Sequence, residues 1–173
     1  MSGIVVEHNP AWAAAFAAEA QVLTRTLSPL AVTLHHMGST AVAGLAAKPI
    51  IDMLCIVPAL DALDAAAQRL TVLGYEGLGA YGIEGRRYFR KNNAEGVRTH
   101  HLHAYGAGSP HIARHLAFRD YLRAHPDRAA AYGALKTTLS TRSPASYQDD
   151  KGSFVAALEA EALVWVSRLD KNA

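Results

Sequence analysis

The amino-acid sequence predicts an α/β (α+β) domain: a mixed β-sheet with flanking helices and a C-terminal group of three helices. Three patterns support this. An amphipathic helix opens the chain, and two strand-like runs, "LAVTLHHM" and "PIIDMLCIV", lead into a second helix. Three shorter strand-like stretches follow, and beyond Tyr105 the pattern is helical almost throughout. At 173 residues, half of them apolar, the chain fits one domain over 1–173 with enough material for a core.

Asn9-Pro10 supplies an N-cap and a first-turn proline for a helix carrying Trp12, Phe16, Ala20, Leu23 and Leu27 at helical spacing. Pro29 follows its end. "LAVTLHHM", rich in branched residues, then reads as a short strand that delivers a Gly-Ser-Thr turn. The nearly continuous apolar run "PIIDMLCIV" is that of a central strand buried on both faces, and "LDALDAAAQRLTVLG" is a helix closing at Gly74. "YEGLG", "RRYFRKN" and "RTHHLHAY", separated by Gly, Asn and Glu, suit hairpins on a mixed sheet. Ser109-Pro110 starts the next helix, with Ile112, His115, Leu116, Arg119 and Leu122 on or near one face. Pro126 starts another. The last begins between Ser143-Pro144 and Tyr147 and carries Phe154, Leu158, Trp165 and Leu169 at core spacing.

Seventeen basic and fifteen acidic side chains leave a formal charge of +2, too small to argue for nucleic-acid or membrane partners. The densest basic cluster, "GRRYFRK", reads equally as a phosphate-binding strand or as a charged edge that resists aggregation. The single cysteine, Cys55, excludes an intramolecular disulfide framework and a multi-cysteine metal site and reads as core. The start "MSGIVVEHNPAW" lacks a basic region followed by an apolar one, and no stretch approaches membrane-spanning length, so the expected location is cytoplasmic.

Three groups of residues carry chemical interest. The Gly38-Ser39-Thr40 turn can aim backbone N–H groups and a hydroxyl at an anion, although such a tripeptide also serves as an ordinary capped turn. Asp52 is a lone carboxylate in an apolar strand. Burying it ionised is costly unless it binds a metal, accepts several hydrogen bonds or lies at the strand's open end. In "RTHHLHAY" the two-residue period places Thr99, His101 and His103 on one face and His100 and Leu102 on the other. Two imidazoles so spaced can share a metal ion or a phosphate, against a background of nine histidines in the chain. Arg119, Lys136 and Lys151 read as a solvated helix face. Tyr121, Tyr132 and Tyr147 read as half-buried packing residues.

The segments "GSTAVAGLAAKPIIDM", "GRRYFRK", "HLH", "FRDYLRAHPDRAAAYGALK" and "YQDDKGSF" together resemble the GrpB family of the nucleotidyltransferase superfamily, over most of the chain and in the family's order. A similar module is fused behind dephospho-coenzyme A kinase in some bacteria. The resemblance implies a nucleotidyltransferase-like sheet in which Gly38 and Ser39 belong to a phosphate-holding turn and Asp52 is the first acid of a cation-binding pair. The second acid of that pair would stand at position 54, where this sequence has Leu54. A later strand commonly supplies a third acid, and here it carries His101 and His103 instead.

Three functions are therefore expected. The first is a nucleotidyltransferase-like protein that binds a nucleoside triphosphate with a divalent cation and transfers a nucleotidyl group to an unknown small acceptor. Gly38, Ser39 and Thr40 would hold phosphates, with Lys48, Arg87 and Lys151 adding charge. Asp52, His101 and His103 would bind magnesium or manganese, or zinc if the histidines ligate, or one histidine would serve as base. The second is a catalytically degenerate module that binds a nucleotide or coenzyme A or assists an enzyme, as Leu54 suggests. The third is a metal-dependent hydrolase built on Asp52, His101 and His103.

Overall fold

The computed structural model describes residues 4–140 and 147–171, so the expected helix start at Ser143-Pro144 lies outside the described residues. Helix α1, Ala11–Leu27, begins where the Asn9 side chain accepts a hydrogen bond from the Ala11 N–H at 2.9 Å. Strand β1, Thr33–Met37, runs into Gly38 and a single 3-10 turn over Ser39–Ala41. Strand β2, Ile51–Val57, is followed by helix α2, Leu60–Val72, strand β3, Tyr75–Gly77, strand β4, Arg86–Asn92, and strand β5, Arg98–Gly106. Helices α3, Pro110–Ala124, α4, Pro126–Ser140, and α5, Tyr147–Lys171, complete the chain.

The five strands form one mixed sheet in the order β1-β2-β5-β4-β3. Strands β2 and β5 are parallel, with Asp52 beside His101 and Leu54 beside His103, and the other neighbours are antiparallel. The helical crossover that parallel pairing requires is supplied by α2 and the β3–β4 hairpin. The strand period divides β2 cleanly. Met53, Cys55 and Val57 pack under α1 and α2 with Trp12, Leu23, Leu63, Leu70 and Leu102, whereas Leu54 packs on the opposite face with Met37 and Tyr105.

A third apolar cluster joins α3, α4 and α5 through Ala117, Tyr121, Leu122, Tyr132, Leu158 and Ala162, and takes in Val42 and Leu45 from the segment after the turn. Each fully buried leucine among these contributes about 1.5–3 kcal/mol, so the segment from the turn to β2 is held firmly against the helices. Helix α3 has two working faces rather than the one expected. Ile112 and Leu116 meet the sheet, while Ala117, Tyr121 and Leu122 meet the other helices. Leu169, expected in the core, is 49% exposed. Glu19, on the buried face of α1, is held by Lys91 Nζ and the Tyr75 hydroxyl, both at 2.8 Å. Among the described residues no helix is long and apolar enough to cross a membrane.

Candidate functional site

At the end of β1 the chain turns through Gly38, whose φ of +72° favours glycine. A Cβ there would lie 2.8 Å from Asp52 Oδ2, so the missing side chain lets the turn sit directly on the carboxylate. The residues nearest the acid therefore come from two strands joined by that turn. Register does the rest: β5 runs parallel to β2 and presents His101 and His103 on Asp52's face.

His101 Nδ1 lies 3.0 Å from Asp52 Oδ1, and His103 Nε2 lies 3.8 Å from the same oxygen. One ligand atom from each residue lies within 4.8 Å of the others, the separation at which a single metal ion can be shared. Burial alone would raise the Asp52 pKa, but hydrogen bonding and charge from His101 and His103 outweigh it, leaving the carboxyl well below its ordinary range. An ionised carboxylate only accepts hydrogen bonds, so His101 donates to it from Nδ1, and Nε2 is the other ring nitrogen.

His103 is constrained from its other side. Arg86 Nη1 lies 3.4 Å from His103 Nδ1, and a guanidinium can only donate. His103 accordingly accepts at Nδ1 and keeps its proton on Nε2, facing Asp52. Both nitrogens that face the acid can donate to it, and a metal ion held by all three residues would have to displace those protons. An oxygen-preferring cation would need only Asp52 from this cluster, since such ions take one or two carboxylates together with substrate oxygens.

The turn is surrounded by positive charge. Lys136 of α4 is 3% exposed and donates to Ser39 Oγ at 2.7 Å and to the Ala46 carbonyl at 2.5 Å. Burial, reinforced by the charge of Lys151, pulls the Lys136 pKa down to about 7, against an upward pull from Asp52. Burial also lowers Lys151, which feels Asp52 and Lys48 in opposite senses, so both lysines lie within electrostatic reach of the acid. From α3, Arg119 donates to the His36 carbonyl at 3.2 Å and Arg123 to the Ala41 carbonyl at 2.9 Å, bracketing the turn.

The structure brings Gly38, Ser39, Asp52, His101 and His103 together, with Lys151 in electrostatic reach of Asp52 and Lys48 in reach of Lys151. Two expected residues do not join them. Thr40 turns inward, 3% exposed, with its hydroxyl 2.9 Å from His36 Nε2, so its side chain braces the turn and is not available to a phosphate. Arg87 points to the other face of the sheet, where it makes a two-pronged ion pair with Asp64 of α2 at 2.7 Å. Its neighbour Arg86 takes the site face, since adjacent strand residues face opposite ways.

Sequence reasoning also set Lys136 aside as a solvated residue. The missed signal is its spacing: Ala129, Tyr132, Lys136 and Leu139 recur at helical intervals, and all four are buried.

The family model described as GrpB protein matches residues 4–161. The chain belongs to the GrpB family. The UPF0157 protein YqkA of Bacillus subtilis is 41% identical over 164 residues, covering 93% of this chain and 47% of that protein, so the chain spans about half of this relative's length. The crystal structure of the conserved protein GrpB from Enterococcus faecalis superposes with a TM-score of 0.88 at 43% identity, covering 94% of this chain and 99% of the other. The Cid1 poly(U) polymerase bound to MgGTP superposes with a TM-score of 0.51 at 12% identity, covering 77% of this chain and 42% of the polymerase. That likeness is one of fold. The GrpB chain has a nucleotidyltransferase-like fold with a mixed sheet.

Proposed function

We propose that the cleft binds a nucleoside triphosphate together with a divalent cation and transfers its nucleotidyl group to a hydroxyl of a small acceptor. The observation that supports this most strongly is the juxtaposition, across Gly38, of an ionised carboxylate and a turn whose serine is held by a buried lysine. Polyphosphate needs such positive charge in a desolvated setting, and Lys136 and Lys151 supply it beside Ser39.

In this reading Asp52 would hold the cation, either magnesium or manganese, together with phosphate oxygens. When bound, it would neutralise charge on the phosphates and orient them. The oxygen of the acceptor forms a bond to the α-phosphorus, the bond to the bridging oxygen breaks, and pyrophosphate leaves. His101 takes the acceptor's proton on Nε2, while Asp52 Oδ1 fixes the ring through Nδ1–H and stabilises the imidazolium that forms. His103 donates its Nε2–H toward the same carboxylate and adds no base of its own.

A second reading, binding without turnover, is favoured by Leu54. It occupies the place of the second acid and is fully buried against Met37 and Tyr105, which leaves one carboxylate where the superfamily pattern has two.

Calorimetric titration of ATP into metal-stripped protein, with and without magnesium or manganese, tests both readings. Cation-dependent binding that is lost in Asp52→Asn is expected under either. Pyrophosphate release in the presence of a pool of hydroxyl acceptors, lost in His101→Gln while ATP still binds, selects the first. Failure of ATP to bind under every condition would overturn both.

A further inference from the structure

Beyond the cation and phosphate groups, the site continues along β4 as an aromatic surface. Tyr88 stands opposite His103 in the β4–β5 pairing, its ring 5.0 Å from that of His103 and 5.5 Å from that of His101. Tyr81, in the loop between β3 and β4, stacks on Tyr88 with ring centroids 5.1 Å apart and planes 17° from parallel. Tyr88 is 8% exposed and Tyr81 is 62% exposed, so the outer ring of the stack faces solvent.

The loop holds that ring in place at a conformational cost. Tyr81 is the one non-glycine among the described residues with a positive φ, +45°, in a loop that also uses glycine at 79, 82 and 85. A bulky side chain in the left-handed region is strained, and a loop under no other demand would place glycine there. Arg86 pins the conformation from beneath. Arg86 is 6% exposed, and its guanidinium donates to the Tyr81 carbonyl at 2.6 Å and to the Ala80 carbonyl at 3.1 Å, while reaching His103 Nδ1. One buried arginine therefore ties the loop that carries Tyr81 to the histidine beside the acid.

This surface lies on the far side of β5 from Asp52 and the Ser39 turn, so His101 stands between the phosphate groups and the aromatic rings. We infer that the Tyr81–Tyr88 stack is the acceptor subsite, and that the acceptor carries a planar heteroaromatic ring bearing a hydroxylated substituent, as a nucleoside does. The inference rests on the proposed transfer reaction and extends it by naming the class of the second substrate. A flat ring laid on Tyr81 would continue the stack, with its hydroxyl directed toward His101 Nε2. Stacking of this kind tolerates different bases, because every base offers a π-face.

The test uses adenosine as the phosphate-free probe and ribose as the probe without a ring, titrated calorimetrically into wild-type protein, Tyr81→Phe and Tyr81→Gly. The glycine variant removes the ring and suits the left-handed backbone, so the loop keeps its course; an unchanged circular dichroism melt checks this. Adenosine should bind wild type and Tyr81→Phe within about twofold of each other and Tyr81→Gly at least about tenfold more weakly, with no heat from ribose. Equal adenosine affinity in wild type and Tyr81→Gly, or no adenosine binding to wild type, would overturn the subsite.

Titrating ATP with manganese into Tyr81→Gly separates the two claims. A loss of ATP affinity matching that of adenosine would place the donor's own base on Tyr81 and overturn the acceptor assignment. Tyr81-dependent adenosine binding in a protein that never binds ATP would leave the ring subsite standing and overturn the proposed function and, with it, the acceptor role.

Discussion

Gly38 and Lys136 show how single residues set the character of the site. Alanine at Gly38 would have to occupy a left-handed backbone conformation and place its Cβ 2.8 Å from Asp52 Oδ2. The turn or the acid must then move. Gly38→Ala should cost about 1–3 kcal/mol of stability in urea denaturation and abolish cation-dependent ATP binding, whereas wild-type binding would detach the carboxylate from the phosphate turn. Lys136 carries a pH signature. Its folded pKa of about 7 lies below the ordinary lysine value of 10.5, so between these limits the unfolded chain binds a proton that the folded chain does not. Stability from this group rises with pH across that window and is lost as pH falls toward 7. Cys55, pushed up to about 12 by burial, acts oppositely above pH 9, so the clean interval is pH 7 to 8.5. Urea melts should show stability rising more steeply over that interval in wild type than in Lys136→Met, where only Lys151, also lowered by burial, adds to the slope. At pH 7 the methionine variant should be as stable as wild type or more so, because it removes a buried amine that resists protonation, yet it should bind ATP at least tenfold more weakly.

At the scale of elements, strand β2 explains both what the sequence made legible and what it hid. Its apolar run with one acid identified a central strand and a candidate ligand together, since burial on two faces and a lone carboxylate are each readable from composition at a two-residue period. The same period separated His101 and His103 from His100, and the caps and prolines marked α1, α2, α3 and α4. Facing direction was legible only in relative terms. Arg86 and Arg87 necessarily point opposite ways, but which of them meets His103 depends on how β4 pairs with β5, a contact absent from local sequence. Lys136 and Thr40 escaped for a related reason: their polarity suggested solvent or ligand, whereas their places on packed faces are set by tertiary contacts with Ser39 and His36. Leu54 can be tested as part of this strand. It has 0% exposure and packs with Met37 and Tyr105, so Leu54→Asp places a carboxylate in an apolar layer rather than rebuilding a two-acid site. The variant should lose about 3 kcal/mol in urea denaturation and gain no magnesium affinity by calorimetry, and a gain would mean that the layer can open to admit the ion.

Across the whole molecule, the charged groups around the turn come from two layers, which meet through apolar packing and through the bonds of Arg119 and Arg123 to the turn's carbonyls. Ser39 and Asp52 belong to the sheet and its turn, whereas Lys136 belongs to α4 and Lys151 to α5. Without a ligand, the charge of Lys151 lowers the proton affinity of Lys136, which links α4 to Ser39 and to the Ala46 carbonyl. A polyphosphate bound there would neutralise that repulsion and bridge the layers, so its stabilising effect should be felt most in the helices. A ligand at one hundred times its dissociation constant adds about 2.7 kcal/mol to stability, which for a domain of this size corresponds to a rise of about 5–10 °C in melting temperature. Thermal denaturation with saturating manganese and ATP should show this rise in wild type and not in Asp52→Asn. Hydrogen exchange should slow in the amides of α4 and of the segment from Ser39 to Ala46, where the bridging contacts lie, and remain unchanged in α2 on the opposite face of the sheet. Protection confined to α2, or spread evenly over both faces, would place the nucleotide away from the junction of turn and helices.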